Sequence, residues 1–240
     1  MKIIITEDYE ELSAKAAEIM LAVVKNNPYA VLGLATGTTP LGLYGKMIED
    51  FKANGTSYKN MTCVNLDEYV GLDKNHTQSY AYFMRKNLFD WLDINPEHTH
   101  IENGVAADAE EECRRYDSLL KKHRQDIQLL GLGSNGHIAF NEPGTAFGLG
   151  THLVKLAPST VRDNARLFDS EKDVPLSAFT VGPANIMNAK KILILASGAK
   201  KAEAVYGAVR GTVTESLPAS ILQRHGDCTL IADRQAAALL

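Results

Sequence analysis

The residues best suited to do chemistry crowd into one stretch, LLGLGSNGHIAFNEP, from Leu129 to Pro143. An apolar run, Ile127 to Leu132, enters the glycines Gly131, Gly133 and Gly136, and Asn135, His137, Asn141 and Glu142 crowd into the same turn of chain. A histidine with a carboxamide two residues before it and a carboxylate five after it suits acid–base work. The carboxylate fixes the tautomer and orientation of the ring, and the imidazole moves a proton near neutral pH. His76, His123, His152 and His225 read as structural histidines. His98 and His100 flank one residue, the spacing of a metal pair on a strand face, but no third ligand stands near them. No metal site is expected.

Two further groups carry chemical promise. Asp67 and Glu68 follow the apolar run from Met61 to Leu66, where a strand-end carboxylate serves either as a general base or as a simple cap. Thr36, Gly37, Thr38 and Thr39 join a buried run to Pro40, which suits the first turn of a helix. Such a loop offers hydroxyls and unpaired N–H groups to a phosphate, although it lacks the GK[ST] ending of a nucleotide loop. Plain N-capping by a threonine fits those residues equally well.

Gly131 to Gly136 spells GxGxxG, the lettering of a dinucleotide fingerprint. That fingerprint needs a helix opening at its third glycine. Here Pro143 and Gly144 break any long helix, so the glycines are expected to let backbone approach a ligand or a second loop.

These groups need elements to hold them. Lys2–Thr6 reads as a strand, and Asp8 with Glu11 has capping-box spacing ahead of a helix striped by Leu12, Ala16, Ile19, Met20 and Val23. Tyr29–Ala35, Met61–Leu66 and Ile127–Leu132 are apolar without alternation, as strands covered on both faces should be. Further strands are expected near 178–181, 191–196 and 228–232. Helices are expected near 40–51, 79–92 (burying Tyr80, Phe83, Met84, Leu88 and Trp91), 106–124 (a solvated charged face) and after Gly198. Strands alternating with helices predict an α/β fold, a three-layer Rossmann-like, mostly parallel sheet with helices on both faces. No repeat or composition break divides the chain, so residues 1–240 are expected to form a single domain.

Composition narrows the function. With 240 residues, 45% hydrophobic and 22% charged, the chain has ordinary globular proportions. A net charge of −4 and dispersed lysines and arginines argue against a nucleic-acid surface. Cys63, Cys113 and Cys228 are odd in number and widely spaced, which suits a reducing compartment. The N-terminus turns acidic after three isoleucines, unlike a signal peptide, and no apolar run approaches the roughly 18 residues of a membrane span. A cytoplasmic location without membrane contact is expected.

Five stretches together resemble one family, the glucosamine-6-phosphate deaminases (isomerases): LATGTTPLGLY, VNLDEYVGL, LLGLGSNGHIAFNEPG, VRDNARLF and AFTVGPANIMNAKKILILASGAKKAEAV. They span nearly the whole chain. The resemblance implies conversion of glucosamine 6-phosphate and water to fructose 6-phosphate and ammonia, in amino-sugar catabolism, with no metal or organic cofactor. It implies that Asp67 moves a proton between C2 and C1, and that His137, oriented by Glu142 and Asn135, opens the pyranose ring. It assigns the substrate phosphate to Thr36, Gly37, Thr38 and Thr39, to Arg166, and to Lys201 or its neighbour Lys200. Some members carry aspartate where this chain has Asn135, which cannot stabilise an imidazolium by charge. The chain is also shorter at its C-terminus than the hexameric, allosterically activated members, so their regulation by N-acetylglucosamine 6-phosphate is not carried over and a monomer is expected. The polar segment of about 151–173, carrying Arg166, is the expected lid.

Two other readings compete. A 6-phosphogluconolactonase shares this fold and a Gly-His motif, but FNEP after His137 and DEYVGL after Leu66 favour the deaminase. A sugar-phosphate sensor of a transcriptional regulator needs a DNA-binding module, and would have no use for Asp67 and His137 together.

Overall fold

The structure, a computed structural model, describes residues 1–157, 161, 168, 170 and 173–240. Its elements run β1 (Lys2–Thr6), α1 (Tyr9–Asn26), β2 (Val31–Leu34), α2 (Leu41–Asn54), β3 (Thr62–Asn65), β4 (Asp67–Tyr69), α3 (Tyr80–Asn87) and β5 (Thr99–His100). There follow α4 (Ala109–Lys122), β6 (Ile127–Gly131), β7 (His152–Lys155), β8 (Ser177–Thr180), α5 (Pro183–Ile186), β9 (Ile192–Ala196), α6 (Ala202–Arg210) and β10 (Cys228–Asp233). The predicted parallel sheet is present: seven strands, all paired in parallel, in the order β1-β10-β9-β6-β2-β3-β5, flanked by helices. Every residue of β9 and β10 is buried, which is why these runs show no polar alternation.

The start of α1 follows its sequence signal. The Asp8 carboxylate accepts from the Glu11 N–H, while the Glu11 side chain reaches the N–H of Glu7. The helix then buries Leu12, Ala16, Met20 and Val24. Strand order reverses between β2 and β6: from β2 the sheet grows through β3 to β5, and from β6 through β9 to β10. The loops leaving these two neighbours therefore part company and open a crevice at their carboxyl ends.

The sequence reading missed a second sheet. β4, β8 and β7 form a three-stranded antiparallel sheet in which Asp67 pairs with Thr180 and Tyr69 with Ala178. Only Leu66 separates β3 from β4, so in sequence the two look like one strand running out into a loop. A smaller apolar cluster of Tyr69, Phe140, Leu156, Val161, Val174 and Ala178 packs this sheet.

Two local expectations are corrected. The helix expected over 79–92 ends at Asn87, and the 3-10 turn Phe89–Trp91 leaves Trp91 half exposed with the Lys52 ammonium over its ring. The face of α4 is not wholly solvated. Glu112 is buried and paired with Arg115, while Asp117 accepts from the Thr151 N–H and the Asn185 amide. No helix among the described residues is long and apolar enough to cross a membrane.

Candidate active site

The crevice at the switch point holds a cleft of about 240 Å³. Its walls include the Thr36–Thr39 loop after β2, Asp67, Tyr80, His137 and Lys201. Asp67 stands where the chain leaves the parallel sheet for the small one. The Thr180 hydroxyl donates to Asp67 Oδ1 at 2.7 Å and the Phe140 N–H donates to the same oxygen at 3.1 Å. Both bonds go to Oδ1, and none to Oδ2 among the described residues. Burial pushes the Asp67 carboxyl up to about 7, and the two hydrogen bonds and the nearby His137 restrain the rise. Beside it, Glu68 accepts from the N–H groups of Tyr69, Tyr80 and Ala81, which ties β4 to the start of α3. Burial pushes Glu68 up to about 7 as well. Glu102 lies buried behind them, both of its oxygens without a hydrogen bond, and burial raises it well above the usual carboxylate range.

The histidine loop leaves β6 at Gly131 and, as expected, opens no helix. The Gly133 N–H donates to the His137 carbonyl at 2.9 Å, folding the loop back on itself. A Cβ on Gly133 would lie 2.4 Å from the His137 ring, so the ring occupies the place of the missing side chain. Farther on, the N–H of Asn141 closes a turn onto the Ile138 carbonyl, and Ala139 inside it has φ 53°. Only a few per cent of non-glycine residues adopt that region, and such strain is found where function demands a fixed geometry. Here the turn aims the Phe140 N–H at Asp67. The buried Asn141 amide, bonded to the carbonyls of Ile138 and Val181, holds the turn in place. The Asn135 amide donates to Glu142 Oε2 at 2.7 Å and its oxygen accepts from the His137 N–H at 3.2 Å. His137 Nδ1 stands 3.5 Å from the same Glu142 oxygen, too long for a hydrogen bond, so this buried nitrogen has none.

The loop after β2 is braced from outside. The Tyr9 hydroxyl, on the first turn of α1, lies 3.1 and 3.0 Å from the carbonyls of Thr38 and Thr39 and accepts from the Gly42 N–H. This reach needs α1 and α2 in close contact: a Cβ on Gly42 would lie 2.1 Å from Ser13 Oγ. Gly37, at φ 97°, supplies the left-handed backbone within the loop. On the opposite wall, the Ser197 hydroxyl and the Gly198 N–H donate to Asp233, which fixes the turn Ala199–Lys201. Lys201 then lines the cleft, whereas Lys200 is exposed and does not.

Residues 6–231 match the family described as glucosamine-6-phosphate isomerases/6-phosphogluconolactonase. The chain belongs to this family. A glucosamine-6-phosphate deaminase of Geobacillus sp. (strain WCH70) is 52% identical over 241 residues, covering 100% of this chain and 96% of that protein. One of Clostridium perfringens (strain 13 / Type A) is 50% identical over the full length of both. A solved monomeric glucosamine-6-phosphate deaminase, 47% identical, superposes with a TM-score of 0.98 over 100% of both chains. The 6-phosphogluconolactonase of Trypanosoma brucei superposes at 0.82 with 20% identity over 100% of this chain and 98% of that one, a likeness of fold alone.

Of the residues singled out in the sequence, this family member brings Asp67, His137, Thr36, Gly37, Thr38, Thr39 and Lys201 to one cleft. Asn135 and Glu142 stand behind His137 rather than on the cleft wall. Arg166 lies outside the described residues. The sequence reading did not find Thr180, Tyr9, Asp233 or the Phe140 N–H, because each acts across a gap no local pattern spans. His100 forms part of β5 with its ring 5.6 Å from that of His123, and no cluster suited to a metal occurs among the described residues.

Proposed function

We propose that this chain converts glucosamine 6-phosphate and water to fructose 6-phosphate and ammonia, in the breakdown of amino sugars. The observation that carries the reading is Asp67, held by one oxygen at the cleft wall with His137 and the Thr36–Thr39 loop sharing the same cleft. The phosphate is held by the loop's N–H and hydroxyl groups and by Lys201, with Arg166 as a further ligand. His137 shuttles a proton from the anomeric hydroxyl to the ring oxygen, and the pyranose opens to the aldehyde. Asp67 takes the C2 proton, the C2–H electrons form the C1=C2 double bond, and O1 is protonated. Asp67 then returns a proton to C1, which leaves an iminium at C2. Water adds to C2 and one of its protons passes to the nitrogen; the C–N bond then breaks, ammonia leaves, and loss of the second proton from oxygen gives the C2 ketone. Asn135 works through Glu142, which orients the imidazole. The deaminase names borne by relatives about half identical over their full lengths support the reading. A monomer is supported by the monomeric neighbour, and a cytoplasmic setting by three free cysteines.

A lactonase-type hydrolysis needs no proton moved between sugar carbons, so it leaves Asp67 without a task. Ammonia release from glucosamine 6-phosphate, set against acid release from 6-phosphogluconolactone, separates the two. Asp67→Asn should keep binding of sugar phosphates while slowing turnover by about 10²–10⁴-fold and losing exchange of the C2 hydrogen in deuterium oxide. Full exchange in that variant would overturn the mechanism.

A further inference from the structure

A second cavity, of about 290 Å³, is lined by residues of β3, β5 and α3. Its floor includes Asn65, the last residue of β3, which is 3% exposed. The backbone of Asn65 is engaged by the Tyr116 hydroxyl, but its side-chain amide makes no hydrogen bond and its Nδ2 is fully buried. A buried amide without a partner calls for an explanation, because folded chains rarely leave one. Around it stand Lys74, Arg85, Thr99 and His100, against apolar walls that include Met84 and Phe89. Among the described residues, no aspartate or glutamate lines this cavity. Neither Lys74 nor Arg85 has a carboxylate partner among the described residues. Arg85 instead donates to the Lys74 carbonyl at 3.0 Å and lies over the Tyr82 ring, which holds the guanidinium in place.

We propose that this cavity is a second ligand site, separate from the catalytic cleft, for a small anion bearing phosphate or carboxylate groups. Two cations without counter-charges among the described residues, an unpaired amide and a histidine line a space with apolar walls, the pattern of a small-molecule site. Their sign is uniform although the chain as a whole carries −4. Arg85 offers a planar fork of N–H donors matched to carboxylate or phosphate oxygens, Lys74 adds charge, and the Asn65 amide supplies a neutral donor at the base. The volume limits the occupant to a compact molecule.

The test is an amide and side-chain shift map of the full-length ¹⁵N-labelled protein, with the catalytic cleft first saturated with fructose 6-phosphate. Inorganic phosphate and succinate are then titrated separately. The expected result is saturable movement of the Asn65 side-chain amide and of the Ala81, Arg85 and His100 signals with one anion or both, which also says which chemistry the site prefers. In Lys74→Gln/Arg85→Gln, two surface-side changes, the midpoint should weaken at least tenfold while the fructose 6-phosphate shifts of the Thr36–Thr39 loop persist. Persistence of those loop shifts shows that the variant is folded. Cavity signals that stay still with both anions, or that move equally in the variant, would overturn the proposal. Neither result depends on turnover, so the assignment of the catalytic reaction stands or falls separately.

Discussion

In the proposed reaction Asp67 must ionise to take a proton from carbon, yet it is placed where ionisation is disfavoured. Burial raises its pKa to about 7, and the Thr180 hydroxyl and Phe140 N–H keep it from rising farther. A base is active when deprotonated, so kcat/KM should climb with pH through about 7 and level off above it. Thr180→Val removes a donor that favours the carboxylate, so the acidic limb of the kcat/KM profile should move upward by about half a unit to one unit. A limb that stays in place or moves down would show that Thr180 does not tune the base. Asp67 was legible in the sequence as a carboxylate at the end of a buried run. Thr180, 113 positions away, was not, because the pairing that joins them belongs to a sheet with no sequence signature.

At the scale of elements, the loop proposed to meet the phosphate is a product of α1 as much as of β2 and α2. The Tyr9 hydroxyl meets two carbonyls of that loop and accepts from the Gly42 N–H in the first turn of α2, and Gly42 lets the two helices come close enough for it to do so. The phosphate does not react, so loosening its loop should weaken ground state and transition state alike. Tyr9→Phe is expected to raise KM about 3- to 10-fold, the loss of one or two ordinary hydrogen bonds, with kcat within about twofold of the parent. Steady-state kinetics decide it, and a fall in kcat at unchanged KM would refute the bracing role. The helix itself was plain from its cap and stripe. Its service to a distant loop was hidden, since a tyrosine on a first turn has no pattern that names its partner. The Asp67–Tyr69 strand was hidden for another reason: one residue of separation erased the break between two sheets.

For the whole molecule, the parallel sheet was readable because strands buried on both faces must be apolar throughout, and helices must alternate with them. The crevice followed from strand order, which sequence does not state. Over that crevice we propose that the polar segment of about 151–173 acts as a lid for the substrate, Arg166 being carried by it. Support comes from its described members: β7 pairs with β8, and the Phe168 ring lies 5.9 Å from that of Tyr69, itself 4.8 Å from the Tyr80 ring on the cleft wall. Saturation with a sugar-alcohol 6-phosphate, which cannot enolise, should slow hydrogen exchange in peptides covering 156–173. Unchanged exchange there would remove the lid from the mechanism.

Three buried carboxyl groups, Asp67 on the cleft wall with Glu68 and Glu102 beside and behind it, also tie folding to proton uptake. Asp67, Glu68 and Glu102 each hold a proton more tightly in the folded chain than in the unfolded one. Their protonated forms therefore favour the fold fully below the ordinary carboxylate range of about 4, and that advantage drains away as pH rises through about 7 for Asp67 and Glu68. The ionised carboxylate that the proposed reaction needs to remove the C2 proton thus exists only on the pH side where the fold has given up part of its stability. Catalytic readiness and resistance to unfolding are, in this chain, opposite ends of one titration.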